Sequence, residues 1–84
     1  MKHAGATALD RLEDLLVPVR RRTELTEKKR GSFYLKSVAF LHFREDPAGL
    51  FADLKVDGSW VRLRVSTAAE RKRLLRRIAM ACDS

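Results

Sequence analysis

The pattern of hydrophobic and polar positions divides the chain into a helical segment, a central group of strands and a second helical segment. Apolar residues recur at spacings of three and four within 7–19 and within 74–82, as they do in helices that bury one face. Between these segments, apolar and polar residues alternate in a way typical of strands. We therefore expect an α+β fold in which three or four antiparallel strands form a meander, with both helices packed on one sheet face.

The first helix is expected to begin at Thr7, whose hydroxyl can act as its N-cap. It is expected to end near Val17, because Pro18 disfavours helical geometry at the residue before it. Residues 1–6 carry no pattern and are expected to fray. The segment 19–32 reads as a polar connection with two basic triplets, at 20–22 and 28–30.

Residues 33–43 are rich in the aromatic and branched side chains that strands prefer. Eleven residues are many for one strand, so a break at Lys36 and Ser37 is expected to give two short strands. The segment 46–49 is a strong turn that closes with either two or three residues. Both options stay open, and with them the question of which face of 38–43 is buried.

The segments 50–56 and 60–65 alternate cleanly, and the Asp57-Gly58 pair between them is a strong hairpin signal. A two-residue loop pairs Val56 with Ser59, so that the apolar residues of both strands share one face. The opposite face is expected to collect mostly basic and aromatic side chains: Phe51, Asp53, Lys55, Trp60, Arg62 and Arg64.

The second helix is expected to start with a capping box made by Thr67 and Glu70. An apolar stripe from Leu74 to Cys82 is expected to face the core. Basic side chains cover the rest of this helix: Arg71, Lys72, Arg73, Arg76 and Arg77.

The run FYLKSVAFLHFREDPAGLFADLKV, followed by a strand and a helix that begins STAAER, resembles the MmcQ/YjbR-like "double-wing" proteins. In that family an F-x-V-x-x-K-x-F-A type hairpin precedes an acidic turn and further antiparallel strands. The matching positions here are Phe33, Leu35, Phe40 and the turn at 45–49. The run is also similar to a group of short bacterial proteins that carry an FLHF-x-EDPAGLFADL segment. The double-wing resemblance covers half of the chain and implies DNA binding, without transferring a functional residue to any position.

Length and composition indicate one small domain spanning 1–84. The hydrophobic fraction of 45% is that of a folded globule, and no apolar run approaches the roughly 20 residues that a membrane-spanning helix needs. Acidic residues interrupt the apolar stretch near the N-terminus, so no signal peptide is expected. A lone cysteine, Cys82, allows no intramolecular disulfide. We expect a cytoplasmic protein with no membrane association.

The formal net charge of +7 at pH 7 favours an anionic partner, of which nucleic acid is the first candidate. Aromatic rings on a strand face can stack on bases while arginines contact phosphates. The residues expected to bind nucleic acid are Lys55, Trp60, Arg62 and Arg64 on the strands and Arg73, Arg76 and Arg77 on the second helix.

A plainer interpretation competes with this one: arginine stems pack over Trp60 and the face is merely solvated. Asp53, which lies among the cations, also counts against a dedicated phosphate site. The alternative function is a protein-interaction or homodimeric domain. It rests on 38–43, which is apolar on both faces and needs covering, either by the 20–32 connection or by a second subunit docked through the sheet.

Catalytic chemistry finds no support in the sequence. His42, Glu45, Asp46 and Asp53 lack any recognised ligand spacing, so no metal or other cofactor is expected. Cys82 lies at the end of a helix stripe, and neither a nucleophile elbow nor a glycine-rich phosphate loop is present. We therefore expect no catalytic residue, no small-molecule substrate and no enzymatic activity.

Overall fold

A computed structural model describes residues 1–83, which form an antiparallel sheet of six strands and three helices. The elements, in chain order, are β1 (Lys2–His3), α1 (Ala6–Arg11), α2 (Glu13–Arg20), β2 (Leu25–Lys29), β3 (Ser32–Leu35), β4 (Val38–Asp46), β5 (Gly49–Val56), β6 (Ser59–Arg64) and α3 (Ala68–Asp83). The fold class is α+β, as predicted.

The five longer strands form a meander in the order β2-β3-β4-β5-β6, and β1 pairs with the far end of β4. All six are antiparallel. The predicted meander is therefore confirmed, but three or four strands were too few. The two additional strands are β1, of two residues, and β2, of five, and each pairs with one neighbour only.

The helices share one sheet face and close the hydrophobic core against it. Within this core α2 contacts α3, and α3 contacts β5 and β6. Leu16 on α2, Leu54 on β5 and Leu74 on α3 each have 0% exposed surface and belong to the same cluster. Burying such side chains is the dominant favourable term in folding, which explains why both helical stripes face the sheet.

The β5–β6 hairpin forms in the predicted register, with Val56 paired to Ser59 across a two-residue loop. Asp57 and Gly58 have positive φ angles of 51° and 80°, as this tight turn requires. The break between β3 and β4 is confirmed as well. Lys36 and Ser37 form a second two-residue turn, with φ angles of 52° and 68°.

The capping box of α3 is confirmed by its hydrogen bonds. The Thr67 amide donates to the Glu70 carboxylate at 2.9 Å, and the Glu70 amide donates to the Thr67 hydroxyl at 3.2 Å. These bonds satisfy backbone groups that a helix end leaves without partners.

The prediction for the first helix is wrong in its details. The segment divides at Leu12 into α1 and α2, and α2 passes through Pro18 to Arg20. Pro18 has no backbone N–H, so the helix lacks the hydrogen bond that this residue would donate, and α2 ends two residues later. Burial of Val19, which is 0% exposed, holds this last turn against the core. The N-cap is Gly5 rather than Thr7, and because glycine has no side chain, α1 begins without a side-chain capping bond.

The segment 19–32 is not a plain connection, because it contains β2 and the first residue of β3. Within β2 only Leu25 is apolar, so the strand shows no hydrophobic alternation. It forms as an edge strand whose outer rim faces solvent and tolerates polar residues. Glu27 adds a side-chain anchor by accepting a hydrogen bond of 2.6 Å from Arg20.

The N-terminal residues are paired where fraying was expected. Lys2 lies opposite Glu45 and His3 opposite Arg44, while the Gly5 amide donates to the Glu45 carboxylate at 2.7 Å. A two-residue strand is too short to leave a periodic signal in the sequence.

The loop between β4 and β5 closes with two residues, because Asp46 pairs with Gly49. The expectation that 38–43 leaves an apolar set on a second face is wrong. Phe40 lies where the β3–β4 pairing shifts by one residue, and both Phe40 and its neighbour Leu41 belong to the core. At such a bulge the strict alternation of side chains between the two faces is interrupted, so two successive side chains can both enter the core. The observation that suggested dimerisation through the sheet is thereby lost.

Candidate nucleic-acid interface

The sheet face opposite the helices is uncovered by any element within residues 1–83, and it presents cross-strand rows of polar and aromatic side chains. Pairing places Lys55 beside Trp60, Asp53 between His42 and Arg62, and Phe51 between Arg44 and Arg64. Tyr34 on β3 extends this surface, with the Lys28 ammonium 4.3 Å from its ring centroid. We call this surface the open face; its members are Lys28, Tyr34, His42, Arg44, Phe51, Asp53, Lys55, Trp60, Arg62 and Arg64.

Asp53 lies at the centre of the open face and is only 5% exposed. Arg62 donates to its carboxylate from Nε at 2.8 Å and from Nη2 at 3.1 Å, and Arg44 donates from Nε at 3.2 Å. Hydrogen bonds from Arg62 lower the pKa of the Asp53 carboxyl; burial opposes them and Arg44 adds to them. Asp53 therefore remains ionised and holds two guanidinium groups in fixed positions.

Trp60 is 44% exposed, and two other side chains, His42 and Lys55, lie close to its ring. The His42 ring centroid lies 4.6 Å from that of Trp60, with the two planes tilted by 49°. The Lys55 ammonium lies 4.9 Å from the Trp60 ring, within the range of a cation–π contact. Trp60 thus offers apolar surface to solvent directly beside positive charge.

His42 stands between this aromatic group and the buried carboxylate. Its Nδ1 is buried without a hydrogen-bond partner, 3.8 Å from the nearer Asp53 oxygen. Burial lowers the pKa of His42, although Asp53 acts in the opposite direction. The side chain is therefore neutral at pH 7 and adds ring surface rather than charge.

An open cleft of about 350 Å³ is formed on this face by five side chains: His42, Arg44, Asp53, Trp60 and Arg62. The aromatic ring and the two arginines converge on one place. The cleft is open to solvent and lined mostly by polar side chains, in contrast to the mostly apolar pockets that hold small ligands.

The structure separates the predicted site residues into two groups. Lys55, Trp60, Arg62 and Arg64 lie together on the open face. The remaining three, Arg73, Arg76 and Arg77, lie on α3, which packs against the other side of the sheet. One flat ligand cannot contact both groups at once.

Four members of the open face were not predicted to lie on it. One is Lys28, which belongs to a segment interpreted as a connection. The others lie on β3 and β4: Tyr34, His42 and Arg44. Their placement depends on how β4 is paired. A two-residue loop at 46–49 puts Arg44 beside Phe51 and His42 beside Asp53, so the choice of loop length was the signal that would have found two of them. Tyr34 follows from the tight turn at Lys36 and Ser37, which sets β3 against β4.

Three arginines of the basic triplets at 20–22 and 28–30 form ion pairs: Arg20, Arg22 and Arg30. Arg20 pairs with Glu13 and Glu27, and Arg30 pairs with Glu13 and Asp10. The nitrogen–oxygen distance is 3.0 Å or less in each pair. Burial by itself raises the pKa of Glu27, but hydrogen bonds from Arg20 and the Gly31 amide outweigh it and the pKa is lowered. The charges of Arg20 and Arg30 are offset by these carboxylates, and their ion pairs link α1 and α2 to the β2–β3 hairpin.

The acidic residues near His42 have separate structural roles. Glu45 binds the Gly5 amide, and Asp46 accepts a hydrogen bond from the Ala48 amide at 3.0 Å within the turn. Residues 1–83 contain no group of three or more histidine, cysteine, aspartate or glutamate side chains placed to hold a metal ion. Burial raises the pKa of the Cys82 thiol, which disfavours the reactive thiolate.

Comparisons with family models, with curated proteins and with solved structures found no match to this chain. Along residues 1–83, no helix combines the length and the apolar character needed to cross a membrane.

Proposed function

We propose that this protein binds single-stranded nucleic acid through the open face of its sheet. The observation that carries this proposal is a sheet surface left uncovered by the helices, on which an exposed tryptophan stands among cations from neighbouring strands. Trp60 is 44% exposed, Lys55 lies against its ring, and Arg62 and Arg64 follow on the same strand. The resemblance to double-wing proteins implies the same class of partner.

The chemistry of the open face favours single strands over duplexes. Bases in a duplex are stacked on one another, whereas unpaired bases can stack on aromatic side chains. Trp60, Phe51 and Tyr34 lie on three different strands, so aromatic side chains occur at several separate places on the open face. Because every base has a π-face, this arrangement binds many sequences rather than one.

Asp53 fixes the positions of two arginines on this surface and does not neutralise all of its positive charge. It engages Nε and Nη2 of Arg62 and only Nε of Arg44. The remaining guanidinium N–H groups are free of Asp53 and can donate to phosphate oxygens. Because Asp53 already holds these guanidinium groups in place, less side-chain entropy is lost when a phosphate binds.

The first test is a fluorescence anisotropy titration with labelled single-stranded and double-stranded oligonucleotides at two salt concentrations. We expect tighter binding to single strands, with an affinity that falls as salt rises because counterions are released. Weak binding without preference between the two ligands, abolished by modest salt, would show that the charge only solubilises the protein. The protein-interaction alternative would then take precedence.

The second test replaces Trp60. Loss of base stacking costs about 1–3 kcal/mol per base, so Trp60→Ala should weaken single-strand binding by about 5- to 150-fold. Trp60→Phe keeps an aromatic face and should restore most of the affinity. Met80→Ala is the matched control, because Met80 is 69% exposed and lies on α3, away from the open face. Equal effects of Trp60→Ala and Met80→Ala would contradict the proposal.

A further inference from the structure

α3 carries a cationic surface that binding at the open face does not use. Lys72, Arg73 and Arg76 are exposed and Arg77 is half-buried. None of the four makes an ion pair with any residue in 1–83, in contrast to Arg71, which binds Asp14 at 2.8 Å. We call these four residues the α3 cluster. Its positive charge is not neutralised by an acidic partner.

The α3 cluster and the open face lie on opposite sides of the molecule. Leu74 and Ile78 are 0% and 1% exposed, so the apolar stripe of α3 faces the sheet and orients the helix. The domain measures 33 × 22 × 21 Å, and one helix layer and one sheet layer separate the two surfaces. An oligonucleotide of a few nucleotides bound to one surface leaves the other free.

The chemistry of the α3 cluster suits a phosphate backbone. α3 contains no aromatic residue, so it offers no ring on which a base could stack. All four side chains of the α3 cluster are cationic and lie within one stretch of six residues, 72–77. The cluster therefore suits repeated negative charge and does not read base identity.

We propose that the α3 cluster contacts the phosphate backbone of a second nucleic-acid segment, so that one monomer bridges two strands. This inference rests on the proposed function, because it takes the open face as the first site. Bridging raises the local concentration of one strand beside another. The protein would therefore hold two strands together or speed their association, independently of their sequences.

The test uses two short, non-complementary single strands, one with a donor and the other with an acceptor fluorophore. Wild-type protein should produce energy transfer that rises with protein concentration and falls again when protein exceeds oligonucleotide. The triple variant Arg73→Gln, Arg76→Gln, Arg77→Gln should lose at least fivefold of this transfer. Its affinity for one isolated oligonucleotide should change less than threefold, because the open face is intact.

Two matched variants separate the position of the charge from its amount. Arg11→Gln, Arg21→Gln, Lys29→Gln removes three exposed cations elsewhere and should keep the transfer. Arg73→Lys, Arg76→Lys, Arg77→Lys retains the charge of the α3 cluster and should keep it as well. Equal losses in the glutamine variants at both places would overturn the proposal.

The possible failures are distinguishable. If single strands bind and Trp60→Ala weakens them, but energy transfer is absent or survives in the α3 glutamine variant, the bridging proposal is wrong and the proposed function stands. If sedimentation shows that wild-type protein bridges the strands only as a dimer, and the α3 substitutions leave the energy transfer unchanged, the proposal is also overturned. If the α3 glutamine variant loses binding to anionic vesicles while energy transfer is unchanged, α3 is a membrane-facing surface instead. If no oligonucleotide binds at all, both proposals fall together.

Discussion

Asp53 determines how the neighbouring arginines of the open face are placed. Its buried carboxylate, 5% exposed, receives hydrogen bonds from Arg62 and Arg44 on the two strands that flank β5. Three strands are therefore tied together by one charged group on an otherwise solvent-facing surface. From the sequence this aspartate counted against a phosphate site, because only a structure shows which donors it occupies and which it leaves free.

Replacing Asp53 by asparagine should destabilise the fold in a pH-dependent way. Hydrogen bonds to charged groups contribute about 1.5–3 kcal/mol each, so Asp53→Asn should lower the free energy of unfolding by about 1–3 kcal/mol at pH 7. The pKa of Asp53 is lowered in the folded state, chiefly by Arg62. Its stabilisation is therefore present above the unfolded pKa of about 3.9 and is lost as pH falls through the folded value.

Urea unfolding of wild type and Asp53→Asn between pH 7 and pH 2.5 measures this effect. The difference between the two proteins should shrink steadily below pH 4. Asp14→Asn is the control, because the Asp14 side chain is 74% exposed and such surface ion pairs contribute at most about 1 kcal/mol. A difference for Asp53→Asn that stays constant down to pH 2.5 would contradict the role given to Asp53.

Local chemistry predicts some residues of the open face, while others depend on a choice that the sequence leaves open. The Asp57-Gly58 turn admits one favoured loop length, so Lys55, Trp60 and Arg62 could be placed correctly on one face. The turn at 46–49 admits two loop lengths, and a shift of one residue exchanges the two faces of a strand. Arg44 could not be placed for that reason.

At the scale of the element, helix ends with a capping box and hairpins with alternating apolar residues can be predicted from the sequence. Polar edge strands cannot. The α3 capping box and the β5–β6 register follow from residues that are adjacent or nearly so. β2 has a single apolar residue, and β1 has two residues in all, so their pairing is determined by the strand that receives them. Thr7 shows the converse: a good capping residue lies inside α1, and Gly5 takes the end.

The two threonines give a matched test of this distinction. Thr67→Ala removes the hydroxyl that accepts the Glu70 amide and should cost about 1 kcal/mol of the free energy of unfolding. Thr7→Ala should change it by less than about 0.5 kcal/mol, because α1 has no side-chain cap and alanine is a better helix former. Urea denaturation at pH 7 measures both. Equal costs, or a larger cost at Thr7, would show that α1 begins differently.

At the scale of the whole molecule, net charge matters less than where the charge is not neutralised. The chain carries 18 basic and 11 acidic residues, and several acidic ones bind the arginines of 20–22 and 28–30. Among the described residues, the open face and α3 each carry several cations close together, while others, such as Arg11 and Arg21, stand apart. Composition could predict an anionic partner, but it could not predict two separate surfaces, since these depend on which side of the sheet the helices cover.

The most direct test of single-strand binding uses the intrinsic fluorescence of Trp60, which is the one tryptophan of the chain. Unlabelled single-stranded oligonucleotide should quench this emission in a saturable way, because a base stacks on the exposed indole. The midpoint should match that of the anisotropy titration. Inorganic polyphosphate, which has phosphates but no bases, should leave the emission nearly unchanged while it competes for the cations. Quenching that is absent, or equal for both polyanions, would contradict base stacking on the open face.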